Sequence, residues 1–328
     1  MMQAIGQRLG GKRFAILGRA GMDLYADPVG TRIEQAGQFV AHLGGSAANI
    51  AVALARQGAS SALLSAVSDD AVGRFCLAQL DHYGVGRTHV TRIPGEARSS
   101  LAVVETRIEN CQSVIYRNNA ADFHFCNNDV AAVDFSQFDC LVITGTALAQ
   151  NPSRDATMLA LEMAQAAGLV TVMDVDYRPY SWASAAEARQ INLAAAQRCD
   201  IVVGNDVEFG LLAGNIEHGL DCARELVAKG AAISVYKMGE KGAITVCEGV
   251  EILTDIYRTD ALKPTGAGDA FMGGLLAALA TGQSLRTSVL RGSAAAAMVV
   301  SRVGCAPAMP TATDLDSFIA HHPAPVAT

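Results

Sequence analysis

Lys263-Pro264-Thr265-Gly266-Ala267-Gly268-Asp269-Ala270-Phe271 is a glycine-rich turn that runs straight into an apolar, alanine- and leucine-rich segment with one carboxylate at the junction. Small residues from Gly266 to Gly268 let backbone N–H groups converge on an anion, and the start of a helix adds about half a unit of positive charge. Asp269 then stands where a carboxylate could take a proton from a substrate hydroxyl while the amides hold a transferring phosphate. The competing reading is a plain glycine-rich helix entry in which Asp269 only complements the dipole.

Around this turn, short β-branched runs alternate with helical patterns. Residues 13–17, 141–144, 170–173, 201–203 and 233–236 read as buried strands, and 153–167 and 221–229 as helices, the first capped by Ser153 and stopped at Gly168. Strand–helix alternation predicts an α/β fold with a mostly parallel central sheet covered on both faces. Residues 24–43 and 99–125 break the rhythm with extended, alternating segments, of which 100–106 and 113–117 read as a hairpin. Both are expected to form a small β lid inserted into one domain spanning 1–328. Polar residues gather just after the strands, and the carboxyl ends of parallel strands are where ligands bind, so these clusters are expected to line one cleft.

Composition narrows the chemistry. The chain has 328 residues, 51% hydrophobic and 5% aromatic, with a net charge of −7. An acidic surface without a basic stripe disfavours a nucleic-acid partner, so an anion site implies a small nucleotide. Apolar stretches are broken before the roughly 18 residues of a membrane span. Eight cysteines without a C-x-x-C pair, and a start (Met1 to Arg8) without the apolar core of a signal peptide, lead us to expect reduced thiols in the cytoplasm. The seven histidines show no metal-ligand spacing.

Other glycine clusters are less informative. Gly6 to Arg13 nearly spells a phosphate-binding loop, but Arg13 stands where Ser or Thr must reach magnesium, and a strand follows instead of preceding it. Gly18-Arg19-Ala20-Gly21-Met22-Asp23 is not the G-x-G-x-x-G of a dinucleotide site, which disfavours an NAD-dependent dehydrogenase. Gly44-Gly45-Ser46-Ala47-Ala48-Asn49 opens a helix continuing through Arg56; the glycines permit close backbone approach, and Asn49 offers both a donor and an acceptor to a polyol.

Gly44 to Asn49 and Lys263 to Asp269, about 220 residues apart, together resemble the two signatures of the ribokinase-like (pfkB) carbohydrate kinases. The resemblance implies a three-layer α/β/α fold, ATP and Mg²⁺ as cofactors, Asp269 as general base, and the Gly266, Ala267 and Gly268 amides as anion hole. It places Asp23, Gly44, Gly45 and Asn49 on the sugar. Asn205-Asp206-Val207-Glu208 matches the family's N-x-x-E motif, so Asn205 and Glu208 are expected to organise magnesium through water. Lys237, Gly239 and Gly242 match the region packed on the nucleotide. Further stretches, among them Tyr116 to Asp122 and Asp174 to Trp182, resemble the branch that phosphorylates a six-carbon keto-deoxy sugar acid on its terminal hydroxyl. Such a substrate needs a cation for its carboxylate, and Arg117 and Arg178 are the candidates; a homodimer through the lid is also expected.

Phosphoryl transfer needs in-line positioning and charge neutralisation more than covalent chemistry, so one base, one magnesium and a ring of donors suffice. A helix-start aspartate should be ionised at neutral pH. Two positions depart from the family's pattern. Lys263 replaces an acidic residue that helps to hold a monovalent cation, so its ammonium could supply that charge unless it is a solvated loop lysine. Asp176 replaces the usual Asn of D-x-N-x-R. Trp182 and Tyr180 read as packing anchors, and a silent sugar- or nucleotide-binding regulator is disfavoured by the retention of Asp269, Asn205 and Glu208.

Overall fold

The structure is a computed structural model that describes residues 2–325. In chain order its strands are β1 (Arg13–Leu17), β2 (Gly21–Asp27), β3 (Gln38–Gly44), β4 (Ser60–Ser68), β5 (Val90–Ile93), β6 (Ser100–Val104), β7 (Ser113–Tyr116), β8 (Cys140–Thr144), β9 (Val170–Asp174), β10 (Ile201–Asn205), β11 (Ile233–Lys237), β12 (Ala243–Cys247) and β13 (Val250–Thr254). Nine form one sheet in the order β13-β12-β11-β10-β9-β8-β1-β4-β5, parallel except at the β11-β12-β13 edge. The other four form a separate sheet, β3-β2-β6-β7.

Each central strand is apolar on both faces, as a covered parallel strand must be. In β1, Phe14 and Ile16 join one core with the helices Ser46–Arg56, Ala267–Ala280 and Leu285–Val300, while Ala15 and Leu17 join the other with the helices Ser153–Ala166 and Gly219–Ala228. That alternation makes three layers, α/β/α. The five expected strands are present, each within about two residues of its expected ends. Four strands of the large sheet, β4, β5, β12 and β13, were not singled out from the sequence; the last two close through a Glu248-Gly249 turn with φ of 51° and 76°, the left-handed pair that favours a tight hairpin.

Ser153 is not the cap it resembles. It lies inside the helix, after Pro152, and its hydroxyl donates to the Ala147 carbonyl at 2.8 Å, tying the helix to the turn after β8. Gly168 does stop the chain, at φ 79°. The expected hairpin is β6–β7, antiparallel from Leu101↔Tyr116 to Val104↔Ser113, and β2–β3 lies beside it.

Helices Ser46–Arg56 and Ala267–Ala280 pack so closely that a Cβ on Gly273 would strike the Ala53 methyl. Gly273→Val should therefore destabilise the fold by about 1–3 kcal/mol, the usual range for overpacking a core, read as a lower denaturation midpoint. An unchanged midpoint would mean that the two helices can separate without loss.

Candidate active site

The carboxyl ends of the large sheet's strands and the inner face of the small sheet enclose a cavity of about 300 Å³. Asp23, Gly45, Asn49, Asp176, Gly266 and Asp269 are all on its wall. Thus the two glycine signatures meet in space. Asn49 donates from Nδ2 to Asp269 Oδ2 at 2.8 Å, across 220 residues of sequence.

Backbone geometry explains the glycines. Gly266 is the N-cap of Ala267–Ala280 with φ 84° and no side-chain cap, so the first-turn amides of that helix keep no side-chain acceptor and point toward an incoming anion. A Cβ there would also meet Cys305 Sγ at 2.8 Å. Gly45 has φ 98°, and a Cβ on it would collide with the Arg19 carbonyl. Gly44 is not on the cavity wall: it lies behind Asp23, whose carboxylate fills the place a Cβ would take. The lack of a side chain at Gly44 therefore makes room for the Asp23 carboxylate.

Asp269 departs from the expected ionisation. Burial raises its pKa to about 7, helped by the nearby Asp176 charge and opposed by the Asn49 bond, Arg178 and Lys237. Desolvation outweighs the helix dipole. Asp23 is also raised, chiefly by burial, with Arg19 and Lys263 opposing. Its Oδ1, like Asn49 Oδ1, is buried with no hydrogen-bond partner among the described residues. Buried acceptors without donors are rare, and two in one cavity mark where ligand hydroxyls fit.

Asp176 is a junction the sequence did not reveal. Its Oδ2 accepts from Ser46 Oγ at 2.5 Å and Thr146 Oγ1 at 2.9 Å, and its Oδ1 pairs with Arg178 at 2.8 Å. One carboxylate thereby fixes the start of the Ser46–Arg56 helix, the turn after β8 and a cavity arginine. Arg117 is buried, pairs with Asp122, donates to the Thr146 carbonyl at 3.1 Å and lies over the Phe123 ring at 4.0 Å. Its Nε and Nη1 have no hydrogen-bond partner among the described residues. Arg19, which the sequence offered only as part of a failed dinucleotide pattern, also lines the cavity. Of the two expected anchors, Trp182 is buried but Tyr180 is 58% exposed and stands on the cavity wall.

Lys237, Gly239, Gly242, Asn205 and Glu208 do not line this cavity. Lys237, at the end of β11, brings its ammonium to 3.5 Å from the position of a Cβ on Gly268, next to the anion-binding turn. Gly239 (φ 58°) has open space around it, whereas Gly242 (φ 84°) is required by contact with the Thr254 carbonyl in the β12–β13 edge. Asn205 and Glu208 cap the helix Asp206–Ala213 reciprocally: Glu208 N donates to Asn205 Oδ1 at 2.9 Å and Asn205 N to Glu208 Oε2 at 2.7 Å. Glu208 Oε1 also accepts from Tyr177 N at 3.3 Å. Carboxylate and amide oxygens have further lone pairs, so these two fit a hydrated magnesium ion held through water.

Lys263 is fully buried, not a solvated loop residue. Its Nζ donates to the Thr265 carbonyl at 2.5 Å and reaches the Val299 carbonyl at 3.4 Å. Burial lowers its pKa, against the pull of Cys305, Asp269 and Asp23. The Lys263 side chain thus ends on backbone carbonyls beneath the Gly266 turn.

The pattern described as pfkB family carbohydrate kinase matches residues 12–312. A 5-dehydro-2-deoxygluconokinase of Photobacterium profundum is 39% identical over 310 residues, 93% of each chain. One from Geobacillus thermodenitrificans is 35% identical over 94% of this chain and 93% of its own. Among solved structures, a PfkB protein from Polaromonas superposes with a TM-score of 0.80 at 26% identity, covering 93% of this chain and 99% of that one. A Vibrio cholerae fructokinase double mutant, solved with fructose, ADP and potassium ion, gives 0.83 at 26%, covering 94% and 98%.

With Asp269 as proton acceptor for an alcohol, kcat/KM should fall tenfold per pH unit below a midpoint of about 7, because the neutral acid cannot accept a proton. Asp176→Asn removes a charge that raises that midpoint, so the acid limb should move to lower pH. A limb that stays in place or moves up would separate it from Asp269.

Proposed function

The chain belongs to the pfkB family of carbohydrate kinases, and from that premise we propose that it transfers the γ-phosphoryl group of ATP to 5-dehydro-2-deoxy-D-gluconate, giving the 6-phosphate. The observation that carries the chemistry is the meeting of Asp269 with the uncapped turn at Gly266 in a cavity where Asn49 holds the carboxylate. Relatives named for this acid, and guanidinium groups on the cavity wall, favour the acceptor.

Asp23 and Asn49 accept hydroxyl groups through their unpartnered oxygens, orienting the terminal hydroxyl toward Asp269. Asp269 withdraws its proton as the bond to phosphorus forms, and the amides of Gly266, Ala267 and Gly268 receive the charge of the transferring group. Lys237 neutralises charge beside Gly268, and Asn205 and Glu208 would hold a magnesium ion through its water shell. Arg117 and Arg178 line the substrate side. ATP with Mg²⁺ supplies the phosphoryl group and screens its negative charge.

The whole chain works as one kinase unit in which the small sheet, segments about 24–43 and 99–125, closes as a lid that excludes water. Its face turned from the cavity carries Met22, Leu24, Phe39, Ala41, Leu101, Val103, Val114 and Tyr116, as the strand register requires. Phe39, Val114 and Tyr116 are 40%, 44% and 59% exposed. A second copy of the same apolar face fits it, making a homodimer through the lid. A cytoplasmic location belongs to the same reading and suits eight free thiols. Lys263 takes the place of a monovalent cation.

Three measurements test this. Asp269→Asn should lower kcat about 10²–10⁴-fold, the range for a general base, with nucleotide binding retained; undiminished turnover would remove Asp269 from the reaction. Phosphorylation should run equally well in potassium and in a bulky inert cation, and a many-fold potassium stimulation would contradict the role of Lys263. Light scattering of Phe39→Glu should give a monomer where the unaltered chain gives a dimer; a monomer in both cases would rule out the lid contact.

A further inference from the structure

Three arginines reach the cavity, and they are not in the same electrostatic state. Arg117 pairs with Asp122, and Arg178 pairs with Asp176. Arg19 is 9% exposed, and among the described residues no carboxylate lies within ion-pair distance of it. Its one hydrogen bond there runs from Nη1 to Ser100 Oγ at 2.8 Å. Asp23 acts on it only from beyond that distance, so a buried guanidinium with no directly paired carboxylate gains when an anion reaches it.

The surroundings hold this side chain ready. The Arg19 carbonyl accepts from Ala48 N at 3.3 Å, which locks its backbone to the first turn of Ser46–Arg56. Gly21 leaves no room for a Cβ: it would strike Ser100 and approach Arg19 Nη1 at 3.0 Å. Two small residues and one helix start therefore clear a slot for one guanidinium. Position matters as well. A six-carbon acid phosphorylated at its terminal hydroxyl has its carboxylate at the opposite end, away from the base. Arg178 acts on the ionisation of Asp269, whereas Arg19 acts on that of Asp23.

We infer that Arg19 receives the carboxylate of the substrate and so sets the preference for an acid over a neutral sugar, with Ser100 holding the guanidinium in place. The inference rests on the proposed acceptor and deepens it. Arg117 and Arg178, each already bearing an acid of the protein, contribute donors without net charge.

The test compares Arg19→Met and Arg19→Lys with the unaltered chain on two acceptors, 5-dehydro-2-deoxy-D-gluconate and its counterpart with the carboxylate reduced to an alcohol. Arg19→Met should raise KM for the acid about 10–100-fold, the loss expected for a charge-assisted bond. KM for ATP should stay within about threefold, and the loss in kcat/KM for the alcohol should be at least about tenfold smaller than for the acid, since only the acid brings a carboxylate to that charge. Arg19→Lys keeps the charge but not the planar fork, and should fall between; it serves alone if Arg19→Met does not fold. Equal losses on acid and alcohol, or an unchanged KM for the acid, would overturn the inference. Preference of the unaltered chain for the alcohol would overturn the substrate reading itself, and that result is read without any variant.

Discussion

Two helices from opposite ends of the chain, Ser46–Arg56 and Ala267–Ala280, lie in such close contact that Gly273 has no space for a side chain against Ala53. The rest of the site depends on that approach. It brings two glycine-rich helix starts to one cavity and sets Asn49 against Asp269. A wider separation would leave Asp269 without its Asn49 donor and the Gly266 turn without a facing wall. Ala53 and Gly273, where the two helices touch, therefore shape the site although neither is on the cavity wall.

Burial governs the charges that this packing gathers. Water exclusion raises Asp269 and Asp23, and it raises Asp174 well above the usual carboxylate range, with Asp176 and Glu208 adding like charge and Lys237 opposing. Positive groups are distributed to match: Lys263 beneath the turn, Lys237 beside it, Arg178 on Asp176. In a low-dielectric cavity such groups act strongly and need no reorganisation as charge moves. A nucleotide entering this cavity brings further negative charge, which these cations offset.

Much of this was legible in the sequence because it rests on local pattern. Buried parallel strands are apolar on both faces, which made β1 and β8 to β11 visible, and the two glycine signatures announced both helix starts. What the sequence concealed depends on pairing at a distance. Nothing local distinguishes Lys263 as a buried ammonium from a loop lysine, because its partners include the Val299 carbonyl. Asp176 looked like a simple departure from a motif, yet Ser46 and Thr146 converge on it from 130 and 30 residues away. Arg19 was hidden inside a glycine pattern that failed as a dinucleotide loop. Asn205 and Glu208 carried a signal that could have been used, since Asn-x-x-Glu is also a reciprocal helix cap. The ionisation of Asp269 went astray because the helix dipole is read from sequence, whereas desolvation requires the packed cavity.

The central claim is that the cavity positions one hydroxyl, the terminal one of a keto-deoxy acid, between Asp269 and the Gly266 turn. Phosphorus NMR of the product formed from 5-dehydro-2-deoxy-D-gluconate, ATP and Mg²⁺ tests this most directly. The account predicts a single new phosphomonoester coupled to the two protons of the terminal carbon. A phosphate on another carbon, or ATP consumed only to inorganic phosphate, would contradict it.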